Sequence, residues 1–288
     1  MIQSKTANAH RLAAPGHEFR MANCTPSTAV PATRSECTPP DLPSLTISFF
    51  DGEDGGISAW NPELSPITEA ILVSDNSPSD AVYKGLALAT RTSGGPTLYA
   101  TNFHNGTVDV FDSSFHLVTT LPANAFKDPN LPANFAPFGI ANIDGQLYVT
   151  FALQKLPDRH DDQAGLGNGF VDVFDANDGR LVKRLVSNGQ LNSPWGVARV
   201  PHEFGKFHHK FGGFGPSVLL VGNFGDGKIN AFDINSGNFI DPLKNRRGEP
   251  LDFNGLWALV FPSFLIIGFI SQPGSATSPT VFLGLSDP

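Results

Sequence analysis

The sequence is poor in charged residues, and this shortage excludes several classes of function. Asp, Glu, Lys and Arg make up 16% of the 288 residues, the formal net charge is −8, and lysine and arginine form no runs. Nucleic acids and anionic membranes bind basic surfaces. We therefore expect no nucleic-acid partner and no binding to an anionic membrane.

Cysteine and the common catalytic motifs are also scarce. The two cysteines, Cys24 and Cys37, both lie near the N-terminus, so the rest of the chain holds no cysteine-based metal site. They would close one small loop in an oxidising compartment or remain free thiols, and the sequence leaves both open. The chain contains no Gly-x-Ser-x-Gly, Walker or His-Glu-x-x-His motif.

The strongest apolar run covers residues 256–270 and is too short for a membrane helix. It contains Pro262 and Gly268, whereas a helix that crosses a bilayer needs about 20 apolar residues. We expect a pair of buried strands here and no membrane span. An exposed, aggregation-prone patch is the alternative.

A phrase of glycine, apolar residues and aspartate recurs along the chain. Its copies begin at Gly56, Gly106, Gly169 and Gly227, at intervals of 50, 63 and 58 residues, and the last three end in Phe-Asp. Repeats of this length, made of short β-type segments, are typical of a radial or stacked all-β array. No window shows a 3.6-residue periodicity, so helices are expected to be nearly absent.

Each full repeat is expected to form four short strands joined by tight turns. An apolar first strand contains a glycine, the second is aliphatic and aromatic, the recurring phrase forms the third, and a weaker fourth strand follows, as at 116–121 and 181–185. Four strands per repeat indicate a β-propeller blade. The expected fold class is therefore all-β, a β-propeller of four-stranded blades with four to five blades present.

Two details of the repeats have a physical explanation in a propeller. Glycine in the first strand suits a crowded channel, where backbones approach closely. Asp112, Asp175 and Asp233 each close a third strand, and an aspartate there can accept backbone N–H groups of the following turn.

The chain divides at about residue 43. Residues 1–43 are rich in Ala, Thr, Ser and Pro without apolar periodicity, so this segment is expected to be disordered. It also lacks the apolar core of a secretory signal peptide. Residues 44–288 carry the repeats and are expected to form one β-propeller domain.

Several phrases in the repeats carry a family resemblance. They lie at 54–62, 82–87, 99–106, 159–162, 192–196 and 222–227. At these residues the chain resembles a family of uncharacterised, mostly bacterial β-propeller proteins that are predicted to be exported, some with a PEP-CTERM sorting tail. A looser similarity is to six-bladed propellers of the NHL type. The resemblance implies a six-bladed ancestor and an extracellular or periplasmic location, but no activity.

The two ends of the chain depart from that family. Residues 1–43 match neither the further blade sequence nor the signal peptide of family members, and the chain diverges after Trp257 without a PEP-CTERM tail. These departures suggest a truncated or altered gene. A gene remnant that folds only in part is therefore one of the hypotheses.

The connection between second and third strands is longest in the middle repeat, at 153–168. Long loops on a rigid scaffold often carry function. Asp158, Asp161 and Asp162 place three carboxylates in this loop, and a hard cation such as Ca²⁺ binds several oxygens at once. We expect them to be candidate ligands of a divalent cation. A solvated acidic loop that pairs with its own lysine and arginine is the alternative.

The candidate binding residues lie in the same set of connections. They are Arg159 and His160 in the long loop, Asn102 and His104 one repeat earlier, and Asn223 and Asp226 one repeat later. Turn formation is the alternative role for the repeated asparagines. No residue is expected to be catalytic.

The expected function is binding without catalysis, through the loops on one face of the propeller. The partner would be a small molecule, a glycan or a protein. The alternative is a metal-dependent hydrolase of the lactonase type, in which Glu, Asn and Asp near the channel hold one divalent metal. No glutamate is expected at a repeat-equivalent channel position, which counts against the enzyme.

Overall fold

The structure is a computed structural model, and it describes residues 8–10, 48–60, 68–201, 217–245, 247–260, 266–271 and 282–284. In these ranges the chain forms five antiparallel sheets of three or four strands. The described part contains one short 3-10 turn, Ser77–Ser79, and no α-helix.

Each sheet is one blade of a β-propeller, and the blades follow one another along the chain. The first blade contains β1 (Asn8–His10), β2 (Ser48–Asp51), β3 (Gly56–Trp60) and β4 (Ile71–Asp75). The second contains β5 (Tyr83–Arg91), β6 (Gly95–Asn102) and β7 (Thr107–Phe111). The third contains β8 (Phe135–Ile143), β9 (Gln146–Leu153), β10 (Phe170–Asp175) and β11 (Leu181–Ser187).

The last two blades complete the described architecture. The fourth contains β12 (Pro194–Arg199), β13 (Val218–Asn223), β14 (Ile229–Asp233) and β15 (Phe239–Pro242). The fifth contains β16 (Leu256–Val260), β17 (Ile266–Ser271) and β18 (Phe282–Gly284). From the second blade onward, the first strands β5, β8, β12 and β16 pack side by side. The expected all-β propeller is therefore confirmed, and five blades are described.

The core is a series of apolar layers between neighbouring blades. Successive side chains of a strand point to opposite faces of its sheet, so one strand contributes to two layers. In β6, Leu98 packs toward the first blade and Tyr99 packs toward the third. In β13, Leu219 packs toward the third blade and Leu220 toward the fifth. Burial on both faces explains why these strands are apolar runs without a clear alternation.

The aspartates that end the third strands form the expected turns. Asp112 Oδ1 accepts the N–H groups of Ser114 and His116, and Asp233 Oδ1 accepts the N–H of Ser236 at 2.7 Å. Asp175 accepts the N–H of Asn177 at 2.8 Å. The backbone hydrogen bonds hold the pKa of Asp175 and of Asp233 below the usual value. The prediction from the repeats is confirmed for all three residues.

The expected fourth strand of the second blade, at 116–121, is wrong. Only Leu117 forms a bridge, opposite Phe111, and Val118 donates its N–H to the Val110 carbonyl at 2.7 Å. The chain leaves the sheet beyond this point, whereas the corresponding segment of the third blade forms β11. Pro122 follows four residues later and has no N–H for a strand pairing.

The expected boundary at residue 43 lies outside the described residues, as do most of residues 1–43. Of that segment the structure describes Asn8–His10, which forms β1 and pairs with β2. The run at 256–270 contributes β16 and β17, so a pair of strands is present there as expected. Within the described residues, no helix has the length and apolar character needed to cross a membrane.

Candidate functional site: the loop face and the channel mouth

A β-bulge recurs near the start of the first strand in four blades. In each of these blades the register of pairing between the first and second strands shifts between two residues of the first strand: Tyr83 and Gly85, Pro137 and Ile140, Pro194 and Val197, and Leu256 and Ala258. A bulge adds a residue that the ladder does not pair and redirects its side chain. The residues at these points are Lys84, Phe138, Trp195 and Trp257. We call the region where they meet the channel mouth.

Aromatic rings fill most of the channel mouth. Phe138 lies 5.0 Å from Phe103, and Trp257 lies 5.5 Å from Trp195 and 5.3 Å from Phe224, measured between ring centroids. The pairs are tilted or edge-to-face, the arrangements that aromatic quadrupoles favour. Phe103 and Phe224 belong to the second-to-third-strand connections of their blades. The rings therefore tie the first strands to the loops of the same face.

Lys84 brings a buried positive charge into this aromatic cluster. The side chain is 4% exposed, and its ammonium lies 2.5 Å from Glu53 Oε1 and 5.8 Å from the centroid of Phe103. Trp195 Nε1 donates to the Lys84 carbonyl at 2.8 Å. Glu53 belongs to the β2–β3 connection of the first blade, so this connection supplies a carboxylate to the channel mouth through Lys84.

The long loop of the third blade folds back on itself beside the second blade. Gln154 forms a bridge with Asp162, and Lys155 donates its N–H to the Asp161 carbonyl at 2.8 Å. Gln154 Nε2 donates to the carbonyls of Phe103 and His104 at 2.5 and 3.2 Å. These bonds fix the loop against the corresponding connection of the second blade.

The two predicted histidines meet on this face. The His104 and His160 rings are 5.6 Å apart between centroids, at an interplanar angle of 70°. Both side chains are partly buried, and His104 Nδ1 has no hydrogen-bond partner among the described residues. The surface around this pair, formed by 103–106 and 154–163, is called the loop face below.

Asp162 is the predicted acidic residue that turns toward the channel mouth. The pKa of the Asp162 carboxyl is raised, chiefly because the group is buried. The neighbouring Ser193 hydroxyl and the charge of Lys84 lower the pKa, and the charge of Asp161 raises it. Ser193 is fully buried and precedes β12. Asp162 thus connects the loop face with the channel mouth.

The other predicted acidic residues do not converge with Asp162. Asp158 and Asp161 are exposed, as is Arg159. Across the described residues, no three Asp, Glu, His or Cys side chains are grouped closely enough to hold a metal ion. Binding of a divalent cation therefore remains a prediction, and the described residues do not supply a group of ligands for it.

The repeated asparagines stabilise their own turns. Asn102 Oδ1 accepts the Asn105 N–H of its own turn at 3.3 Å and the Val82 N–H at 3.2 Å, and its Nδ2 donates to Asp109 Oδ2 at 2.9 Å. Asn223 Nδ2 donates to Asp226 Oδ1 at 3.0 Å. Both asparagines are almost fully buried. Such contacts are expected if the asparagines form turns, which is the alternative to a role in ligand binding.

Sequence reasoning missed Lys84, Glu53, Trp195 and Trp257. A signal was present, because three of them occupy equivalent positions in the first strand, one residue before the recurring glycine or the alanine that replaces it: Lys84-Gly85, Trp195-Gly196 and Trp257-Ala258. The bulge that turns them toward the channel depends on strand register, which the repeat pattern does not specify.

Comparison with known proteins places the chain beside viral relatives. No family model matches it. It is 33% identical over 210 residues to "Uncharacterized protein R648" of Acanthamoeba polyphaga mimivirus, across 72% of this chain and 48% of the relative. It is 36% identical over 215 residues to "Uncharacterized protein R640" of the same virus, across 73% of this chain and 37% of the relative. The chain therefore spans about half the length, or less, of these curated relatives.

Solved structures agree with the fold. A chain of the crystal structure of a nidogen/laminin complex matches with a TM-score of 0.51 and 15% identity, over 78% of this chain and 69% of that chain. A chain of the COPII outer coat vertex on membranes matches with a TM-score of 0.51 and 10% identity, over 82% and 58%. At these identities the likeness shows the fold alone.

Proposed function

We propose that the protein is a non-catalytic binding propeller that takes its ligand on the loop face. The observation that carries the proposal is the contact between His104 and His160, which come from two neighbouring blades and lie 5.6 Å apart between ring centroids. Imidazoles both donate and accept hydrogen bonds, and His104 Nδ1 is a buried atom without a hydrogen-bond partner in the described part of the chain.

The surroundings of the histidine pair favour a ligand with several polar groups. Asp162 of the same loop supplies a partly buried carboxylate, and Arg159 supplies an exposed guanidinium. The loop backbone is held by its own hydrogen bonds, so little ordering entropy would oppose binding. A small polar molecule, a glycan or a protein segment would satisfy these groups.

A ligand screen with matched variants tests the proposal. A glycan array and a set of small polar molecules would be applied to the wild type, to the double variant His104→Ala/His160→Ala, and to His116→Ala. His116 is a highly exposed histidine of the second blade outside the loop face. We expect binders that the double variant loses and His116→Ala retains. Binders that all three proteins hold equally would contradict the proposal.

The metal-dependent hydrolase remains the alternative proposal. It requires a divalent ion, for which the sequence offers Asp158, Asp161 and Asp162 as candidate ligands; in the described part of the chain no three such groups lie close enough together to hold one. Elemental analysis of the purified protein, with thermal unfolding before and after EDTA, separates the two functions. One tightly bound ion whose removal lowers the melting temperature would favour the hydrolase.

Export is likewise a proposal; it rests on the resemblance to a family of predicted exported propellers, whereas the relatives found by comparison are viral proteins. An oxidising compartment would join Cys24 and Cys37, which both lie outside the described residues, in a disulfide. Thiol titration of protein isolated from its native source tests this. Two titratable thiols in the unreduced, unfolded protein would contradict export.

A further inference from the structure

The outer edge of the second blade is open where the third and fourth blades carry a further strand. β10 is covered by β11 and β14 by β15, whereas β7 is an edge strand of its sheet among the described residues. Backbone pairing with the following chain ends at Val118, which donates its N–H to the Val110 carbonyl. Hydrogen-bonding groups alternate along a strand, so the N–H and C=O of Val108 face the same open side.

A cleft lies beside this edge. Its volume is about 260 Å³, and its walls are β7 on one side and the chain from Leu117 to Lys127 on the other. Val108 and Val110 are buried, and Leu117, Leu121 and Phe126 add apolar surface. The cleft therefore combines apolar walls with an unpaired strand edge, the two features that an added β-strand uses.

The third blade shows which residues such a strand would carry. There Leu181 pairs with Phe174, and Arg184 stands opposite Asp172. The Arg184 guanidinium pairs most closely with Asp128, and its Nε lies 3.6 Å from Asp172 Oδ1. In the second blade Leu117 stands opposite Phe111. The position equivalent to Asp172 is Asp109, a residue that lines the cleft.

The charge at that position favours a basic residue in the missing strand. Asp109 Oδ2 accepts hydrogen bonds from the Tyr83 hydroxyl and Asn102 Nδ2, and Oδ1 accepts one from the Thr107 hydroxyl, each at 2.9 Å. All of these donors are neutral, and none neutralises the carboxylate. A carboxylate offers about four acceptor positions, so a cation can still pair with it.

The chain's own segment at 119–121 does not meet these requirements. It offers Thr119 and Thr120 where β11 has lysine and arginine, and Pro122 cannot donate to the edge. Phe126 is anchored on the third blade, because its N–H donates to the Gly179 carbonyl at 2.7 Å and its ring is buried. This anchor holds the segment on the far wall of the cleft.

We propose that the cleft binds an extended peptide of a partner protein as the fourth strand of the second blade. The peptide carries a basic residue opposite Asp109 and apolar residues on either side of it. This site lies on the outer edge of the blade and does not depend on the loop face.

A labelled peptide with the sequence of residues 180–187, which is β11 with the preceding arginine, serves as the probe. Fluorescence anisotropy would be measured with the full chain. We expect saturable binding, and at least about tenfold weaker binding when the arginine equivalent to Arg184 is replaced by glutamate. Asp109→Asn should weaken binding about fivefold or more.

Two variants keep the test independent of Asp109, which also stabilises its own blade. Ala123→Trp places a large ring in the cleft from an exposed position and should abolish binding. Ala133→Trp, at an exposed alanine outside the cleft, should leave binding unchanged. The proposal would be overturned if the wild type did not bind the peptide. It would also be overturned if the glutamate peptide bound as tightly as the original peptide and Ala123→Trp bound as tightly as the wild type. Protection of the Val108 and Val110 amides without peptide would show that the chain's own segment closes the edge, and would also overturn it.

Discussion

Gly139 of the third blade lies directly against the backbone of Trp195 in the fourth. A β-carbon at position 139 would stand 2.1 Å from the Trp195 carbonyl oxygen, a distance that no side chain can occupy. The β-bulge between Pro137 and Ile140 brings the neighbouring Phe138 to the channel mouth. The Phe138 carbonyl accepts a hydrogen bond from the Thr101 hydroxyl of the second blade at 2.8 Å. Close contact between first strands is thus what positions the aromatic residues of the mouth.

Replacement of this glycine should destabilise the fold. We expect Gly139→Ala to lower the free energy of unfolding by about 2–3 kcal/mol, because the backbone of Trp195 must shift to accept a methyl group. Gly94→Ala is the control, since its nearest contact would lie at an ordinary 3.6 Å and its effect should stay within about 0.5 kcal/mol. Urea unfolding of both variants measures this, and equal midpoints would contradict the packing described.

The buried ion pair between Lys84 and Glu53 should respond unequally to loss of either charge. Glu53→Gln leaves the ammonium of a side chain that is 4% exposed without its counter-charge, and we expect a loss of about 2 kcal/mol. Lys84→Met keeps the stem against Phe103 and leaves a carboxylate that is one-third exposed, so its loss should be smaller. A double-mutant cycle in chemical unfolding decides, and a larger effect of Lys84→Met would refute the burial argument.

Asp172 should make stability depend on pH around neutrality. Burial and the nearby charge of Asp128 raise the pKa of Asp172 to about 8, against a smaller lowering by Arg184. The folded protein then retains a proton that the unfolded chain releases. The contribution to stability is therefore complete below pH 4 and is lost as the pH rises from about 4 to about 8.

The measurement for Asp172 compares unfolding free energies from pH 5 to pH 9. The wild type should lose more stability over this range than Asp172→Asn, in which the group cannot ionise. Asp178→Asn, at an exposed aspartate of the same blade, should follow the wild type. Parallel curves for wild type and Asp172→Asn would disprove the shift.

Asp175 should act in the opposite direction at acid pH. Hydrogen bonds from Asn177 hold its pKa below the usual 3.8, so its contribution is present above that value and is lost as the pH falls further. The turn also connects two blades, since Asn177 Oδ1 accepts the Thr92 N–H at 2.8 Å. Acid unfolding below pH 4 should therefore be steeper for the wild type than for Asp175→Asn, and identical profiles would argue against this role.

Local chemistry made much of the fold predictable from the sequence. The phrases that begin at Gly106 and Gly169 lead into β7 and β10, and Asp175 forms its turn, because these features depend on neighbouring residues. β1 escaped prediction, since Asn8–His10 owes its structure to pairing with a strand 40 residues later. The fourth strand that was expected at 116–121 shows the same limit, because the path of this segment depends on the distant hydrogen bond from Phe126 to Gly179.

The candidate site was predictable only in part. His104 and His160 were expected on the same face, and the structure brings their rings together. Lys84 and Trp257 were read as parts of apolar first strands, because a bulge can only be recognised from the pairing of two strands. Asp158 and Asp161 were expected to be cation ligands because three carboxylates share one loop, but the loop conformation leaves both exposed.

Hydrogen exchange of the protein with and without its first confirmed ligand tests the central claim most directly. The loop face should gain protection, at 103–106 in the second blade and at 154–163 in the third. Gly94 and its turn, on the opposite side of the second blade's strands, should be unchanged. Protection that is confined to other loops, with none in these two segments, would contradict the proposal that the loop face is the binding site.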